Sequence, residues 1–338
     1  MHARSVISSV CTAACVALAA GCASGPAVQA GPRAIAASSV SIALPQIART
    51  LRMPSRPPGA NGLRNVPSGK WIYTAQLYGN DAGVYRRNGF TLQFLELLTI
   101  GLSAPQGTIA TPSGWWYVAN GGHSNVLVYR TKQHGPVGPL ATLDDYGQIP
   151  ANVAVTPSRK VVAVSNVATT AGASGSVSIY LKRQAEPARI LTYGSDQLQG
   201  IGIAIDHHGN CYWSFNDAIA HNGSVVEFAG CAGTGRVVVP TIGYAGGLTF
   251  DQHENLFYVD QTQGIFKCRG LSKCTLFATG FGDPVNVNFD LRAKELWVAD
   301  ATGYIDAVDA RTGRIDASVP AAGVASDPPF GIAPAPGE

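Results

Sequence analysis

From residue 70 onward, short apolar runs alternate with Asp, Gly, Asn and Thr. The clearest stretch spans 285–308. Residues 285–289 (VNVNF) stop at Asp290, 295–299 (ELWVA) stop at Asp300, and 303–308 (GYIDAV) form a third run. A fourth, 314–319 (RIDASV), follows Thr312-Gly313. Each run has strand length, is rich in β-branched or aromatic residues, and ends in turn chemistry, which predicts antiparallel hairpins. One such four-stranded meander cannot bury both of its apolar faces, so it needs neighbours of the same kind.

Those neighbours are present. Aligned on the residue that closes the first run, copies are marked by Thr111, Thr156, Asp206, Asp251 and Asp290, at intervals of roughly 40–50 residues. That period with four strands per unit predicts propeller blades. Five full copies do not close a ring, but the ends supply a sixth. Residues 70–76 (KWIYTAQ) read as a second strand with no first strand before it, with 83–86 and 91–97 as the third and fourth. Residues 328–333 (PPFGIA) read as a first strand with nothing after it. The expected fold is therefore all-β, a six-bladed propeller of four-stranded antiparallel blades over 69–338. Its ring is closed by the C-terminal strand joining the N-terminal blade, which covers edges an open sheet would expose. No sustained helical period follows the first segment, so helices should be minor.

The repeated GIAID/HHGNCYW pattern around Asp206, echoed as GLTFD at Asp251 and NVNFD…LWVAD at Asp290 and Asp300, resembles NHL-repeat propellers. More widely it is similar to the six-bladed superfamily that includes the gluconolactonase/regucalcin family. The resemblance covers about residues 70–335 and implies the architecture. Function does not follow, because such folds host binding proteins, lactonases and lyases. A lactonase of that family implies one divalent cation at the mouth of the channel, held by acidic or Asn side chains, several of them just before the Gly that opens the innermost strand. The matching positions here are Gln106, Ala151, Ile201, Gly246, Val285 and Phe330. Only Gln106 offers a side-chain oxygen, a poor holder of a hard cation. Asp327 stands near the place of the family's first acidic ligand.

A second row is polar. Asn120, Asn166, Asn216, Asp260 and Asp300 each close a second strand and open the loop to the third. Asn and Asp there accept turn N–H groups and tolerate unusual φ, so a structural role is expected first. In a propeller these loops share a face beside the channel, so the same row, with His123, would rim any ligand. His221 and Asp217 lie in these loops as well, whereas His207-His208 occupy a turn where adjacent residues rarely chelate together. Trp115, Trp116 and Trp213 read as packing between blades, with one of the adjacent pair facing outward.

Residues 1–22 read as a targeting segment with an apolar core too short for a comfortable membrane span. The run Leu18-Ala19-Ala20-Gly21-Cys22 resembles a bacterial lipobox, which implies lipidation at Cys22, although Ala19 replaces the preferred Leu. The alternative is ordinary cleavage after Ala30, giving a soluble exported chain. Residues 23–68, rich in Ala, Ser, Pro and Gly, read as a disordered tether.

The net charge of +3 sits mostly before residue 70, leaving the propeller near neutral, which argues against a nucleic-acid surface. Of seven cysteines, Cys211, Cys231, Cys268 and Cys274 fall in the repeats. An even number in an exported chain suggests disulfides. Strand register favours Cys211–Cys231 and Cys268–Cys274, with a metal site as the alternative. No phosphate loop, nucleophile elbow or His-Glu-x-x-His motif is present. The expectation is a monomeric, non-catalytic envelope lipoprotein, in the outer membrane as Ala23 implies. It would touch the membrane through its lipid only, carry no cofactor, and bind an envelope protein, peptide or glycan. The alternative is a metal-dependent hydrolase of lactone-like molecules.

Overall fold

The computed structural model describes residues 70–131, 138–182, 184–194, 197–322 and 327–336. Residues 1–69, which include the expected targeting segment, Cys22 and the expected tether, lie outside the described residues.

Six four-stranded antiparallel sheets form a ring, the six-bladed β-propeller that the repeats predict. Blades 2 to 6 are sequential meanders opening with the inner strands Pro105–Ala110, Gln148–Val155, Leu198–Ile205, Ala245–Phe250 and Pro284–Phe289. Blade 1 is composite. Its inner strand is Pro329–Ala335, followed outward by Lys70–Gln76, Ala82–Asn88 and Thr91–Leu98. The closing pair is antiparallel, with Trp71 opposite Ala335 and Thr74 opposite Ile332. The only helical elements among the described residues are two 3-10 turns, Gly121–His123 and Ala229–Cys231.

No blade owns a core. Each of six buried apolar clusters is shared by two adjacent blades, which is why a single repeat cannot fold alone. Trp116 stacks on Tyr73 of blade 1 at 4.7 Å between centroids, and Trp213 donates to Ser165 Oγ of blade 3 at 2.9 Å. Trp115 faces the other way, under the guanidinium groups of Arg130 and Arg159.

The markers that revealed the repeat close the inner hairpins. Asp206, Asp251 and Asp290 accept the backbone N–H of Asn210, Asn255 and Lys294 at 2.8–2.9 Å, and Thr111 and Thr156 take those of Trp115 and Val161. Between blades the inner strands crowd together at glycine. A Cβ at Gly202 would lie 2.8 Å from the Gly246 carbonyl, and one at Gly247 would lie 2.8 Å from Asn286 Oδ1. At the closure, Gly331 lies against the Gln106 carbonyl with no room for a Cβ.

One expectation is corrected. The inner strands begin two to four residues before the glycine or its equivalent, and pairing shifts register near the start of each. These β-bulges interrupt the two-residue alternation by which a strand is read from sequence.

Candidate binding face

In a sequential antiparallel meander, the start of the first strand, the end of the second, the start of the third and the end of the fourth share one end. The loops leading into each inner strand and those joining second to third strands therefore lie on one face, here the upper face. The turns joining first to second and third to fourth strands lie on the lower face.

At the upper end the bulges place Gln106, Ala151, Ile201, Gly246, Val285 and Phe330 one per blade, skipped by the pairing register. A bulge re-aims its residue, so this ring is where a propeller can present side chains at its axis. The residues present do not fit a hard divalent cation. Five carry no side-chain oxygen, and Gln106 uses its amide nitrogen on the Pro150 carbonyl at 3.4 Å. Among the described residues no group of three or more His, Cys, Asp or Glu could hold a metal.

The polar row is buried and braces the loops. Asn120 accepts from the Ser103 N–H at 2.6 Å and donates to Asn125 Oδ1 at 2.9 Å. Asn216 makes both amide bonds to Ala245 of the next blade, accepting from its N–H and donating to its carbonyl. Asp260 accepts from Gly243 at 2.8 Å and Thr262 at 2.9 Å, and Asp300 from Gly282 at 2.7 Å and Asp283 at 3.0 Å. Asn166 donates to Ser176 and Ser178 Oγ, three residues before its strand ends at Thr169. His123 is exposed on the same face, its Nδ1 3.4 Å from Asn120 Nδ2.

Several of the side chains that the loops expose are large and apolar or aromatic. Tyr146 is 75% exposed, Ile219 70%, Ile100 61% and Tyr78 39%, and all four lie in upper-face loops. Four of these loops read Ile100-Gly101, Tyr146-Gly147, Tyr193-Gly194 and Phe281-Gly282, a recurrence of bulky residue before glycine visible in the sequence but hidden by spacing that varies between blades. Tyr78 meets Phe330 edge-on at 5.7 Å.

Around that pair lie carboxylates. Asp327 is buried and accepts the Tyr78 N–H at 3.0 Å. A Cβ on Gly79 would strike Oδ2 of both Asp327 and Asp81, so these carboxylates share one point. Burial, then the Asp327 charge, pushes Asp81 up to about 6. Asp283 rises to about 6 through burial and the nearby Asp300. Burial raises Asp327 too, and the Tyr78 hydroxyl is raised by burial and then by Asp327 and Asp283. Among the described residues the upper-face loops contain no lysine or arginine.

Both disulfides form as register suggests. Cys211 joins Cys231, and Cys268 joins Cys274 directly across its hairpin. They fit an oxidising compartment. No helix among the described residues is long and apolar enough to cross a membrane.

No family model matches the chain, and no curated protein matches it. Among solved structures it is similar to a proposed 6-phosphogluconolactonase from Bacteroides fragilis. The TM-score is 0.54 and the identity 14%, over 81% of this chain and 99% of that one. It is also similar to a protein of unknown function from Desulfotomaculum acetoxidans, with TM-score 0.48 and 15% identity over 72% and 77% of the two chains. At these identities the likeness shows the fold alone.

Proposed function

We propose that this chain is an exported, non-catalytic recognition propeller, held in the cell envelope through Cys22, that binds a peptide or protein segment on its upper face. The observation that carries this reading is the chemistry of that face. Bulky apolar tips stand in successive loops around partly buried carboxylates, with no lysine or arginine among the described residues of those loops. Exposed aromatic anchors beside a polar surround are how recognition surfaces gain affinity. The charge favours a cationic segment and disfavours an anionic glycan. The ring of bulge residues, where a metal hydrolase would place its ligands, offers one amide.

The test is a binding screen of the purified protein against arrays of basic, neutral and acidic peptides and of neutral and acidic glycans. The hits are repeated with Tyr78→Ala and Tyr146→Ala. Selective capture of basic peptides, weakened about tenfold by either change, supports the reading. Capture of acidic ligands, or capture indifferent to both changes, overturns it.

A second reading rests on the Asp81 and Asp327 carboxylates. A close pair with raised pKa can divide acid and base roles, as a hydrolase of lactone-like molecules would need. Turnover in a lactone panel, abolished by Asp81→Asn, would favour it. Thermal melting with calcium and with EDTA would show whether a cation takes part.

A further inference from the structure

The lower face gathers the positive charge. Among the described residues every lysine and arginine lies in the lower half of its sheet or in a lower turn. Lys160 sits in the inner hairpin of blade 3 and Lys182 follows that blade's third strand. Arg292 and Lys294 occupy the matching hairpin of blade 6, across the ring, and Arg269 ends the third strand of blade 5 at its lower end. All five are exposed.

The acids of this face do not cancel them. Glu227 is taken by Arg236, Asp251 by Lys267, Asp316 by Arg314, and both Asp290 and Glu295 by the buried Arg87. Asp206, Glu254 and Asp309 are tied to Asn210, His207 and Thr312, and Glu186 is exposed in the lower turn of blade 3, so the acids remain outnumbered by the lysines and arginines of this face. The disc therefore carries opposite charge on its two faces, although its total is near neutral. Upper and lower turns alternate along the chain, so the two signs interleave in sequence and average away.

The chain also reaches the propeller at this end. Lys70 opens the second strand of blade 1 at its lower end, opposite Arg87. The preceding residues 23–69 contain Arg33, Arg49, Arg52, Arg56 and Arg64 and no Asp or Glu.

We propose that the lower face docks flat on an anionic phospholipid surface, leaving the upper face turned away from the bilayer. Basic residues near such a surface each add to attraction within a Debye length. The cations are spread over opposite blades of the ring. A nucleic acid would instead be met by a groove that tracks one backbone. This inference stands on charge and topology, and holds whether or not the upper face binds a peptide.

The test uses the full chain with Cys22→Ser, so that no acyl chain contributes, sedimented with vesicles of phosphatidylcholine alone or with about a third phosphatidylglycerol. Binding to the anionic vesicles only, lost in about 0.5 M salt, is expected. Lys160→Gln, Lys182→Gln, Arg292→Gln and Lys294→Gln together should weaken it at least about tenfold with an unchanged melting curve. Replacing the five tether arginines by Gln should weaken it by less than about threefold. The proposal is overturned if the unacylated chain ignores anionic vesicles. It also falls if the tether variant alone abolishes binding while the face variant binds normally, or if double-stranded DNA competes the protein off the vesicles at equal phosphate.

Discussion

Arg87, on the third strand of blade 1, donates through Nη2 to Glu295, on the second strand of blade 6, and both are buried. Its Nη1 lies 3.4 Å from Asp290 Oδ2, and the guanidinium stands 4.9 Å over the Trp297 ring. This contact fastens together two blades that are far apart in sequence. Removing one partner of a buried ion pair leaves an uncompensated charge. Arg87→Met is therefore expected to cost about 3–5 kcal/mol in denaturant unfolding. Combining it with Glu295→Leu and Asp290→Asn should recover part of that. A triple variant no better than the single one would show that the carboxylates are not the source of the cost.

The innermost ring tolerates no side chain at Gly331. Its Cβ would collide with the Gln106 carbonyl, a backbone atom that cannot swing aside. Gly331→Ala is expected to lose about 2–4 kcal/mol, well beyond an ordinary surface substitution. The control is Gly89→Ala, where nothing lies within 4 Å. That change costs only the strain of a left-handed residue, about 1 kcal/mol. Equal losses at both positions would sink the steric account.

The two disulfides should differ in worth. Cys211 and Cys231 close a loop of separation 20, and Cys268 and Cys274 one of separation 6. If the bond acts by restricting the unfolded chain, serine pairs should cost about 3 and about 2 kcal/mol respectively. Denaturation of each double variant checks the order, and a reversed order would assign the stabilisation to native packing.

Asp145 should make stability depend on pH. It accepts Ser178 Oγ at 2.6 Å, its other oxygen is buried without a hydrogen-bond partner, and burial pushes it from 3.8 to about 6. The folded chain therefore holds a proton that the unfolded chain has released. This contribution is complete below about pH 4 and is lost as pH rises through about 6, by at most about 3 kcal/mol. Asp145→Asn is expected to flatten that decline, measured by urea unfolding from about pH 4 to 7. Parallel curves for variant and wild type would refute the assignment.

The sequence by itself determined the architecture, because each of the five sequential blades carries a chemical marker at the same place. Thr111, Thr156, Asp206, Asp251 and Asp290 each close the same hairpin through their own side chains, a local act that spacing reveals. The disulfide partners were legible for the same reason, since each lies within one blade's register. What only the tertiary structure decided depends on bringing distant turns to one end. The bulges that offset each inner strand break the alternation used to read it. The burial of Asn166 and Asn216 follows from partners 10 and 29 residues away. The basic lower face, and the upper face with its apolar tips and carboxylates, come from turns that alternate along the chain. Only closing the ring sorts them, because strand direction sends every second turn to the opposite face.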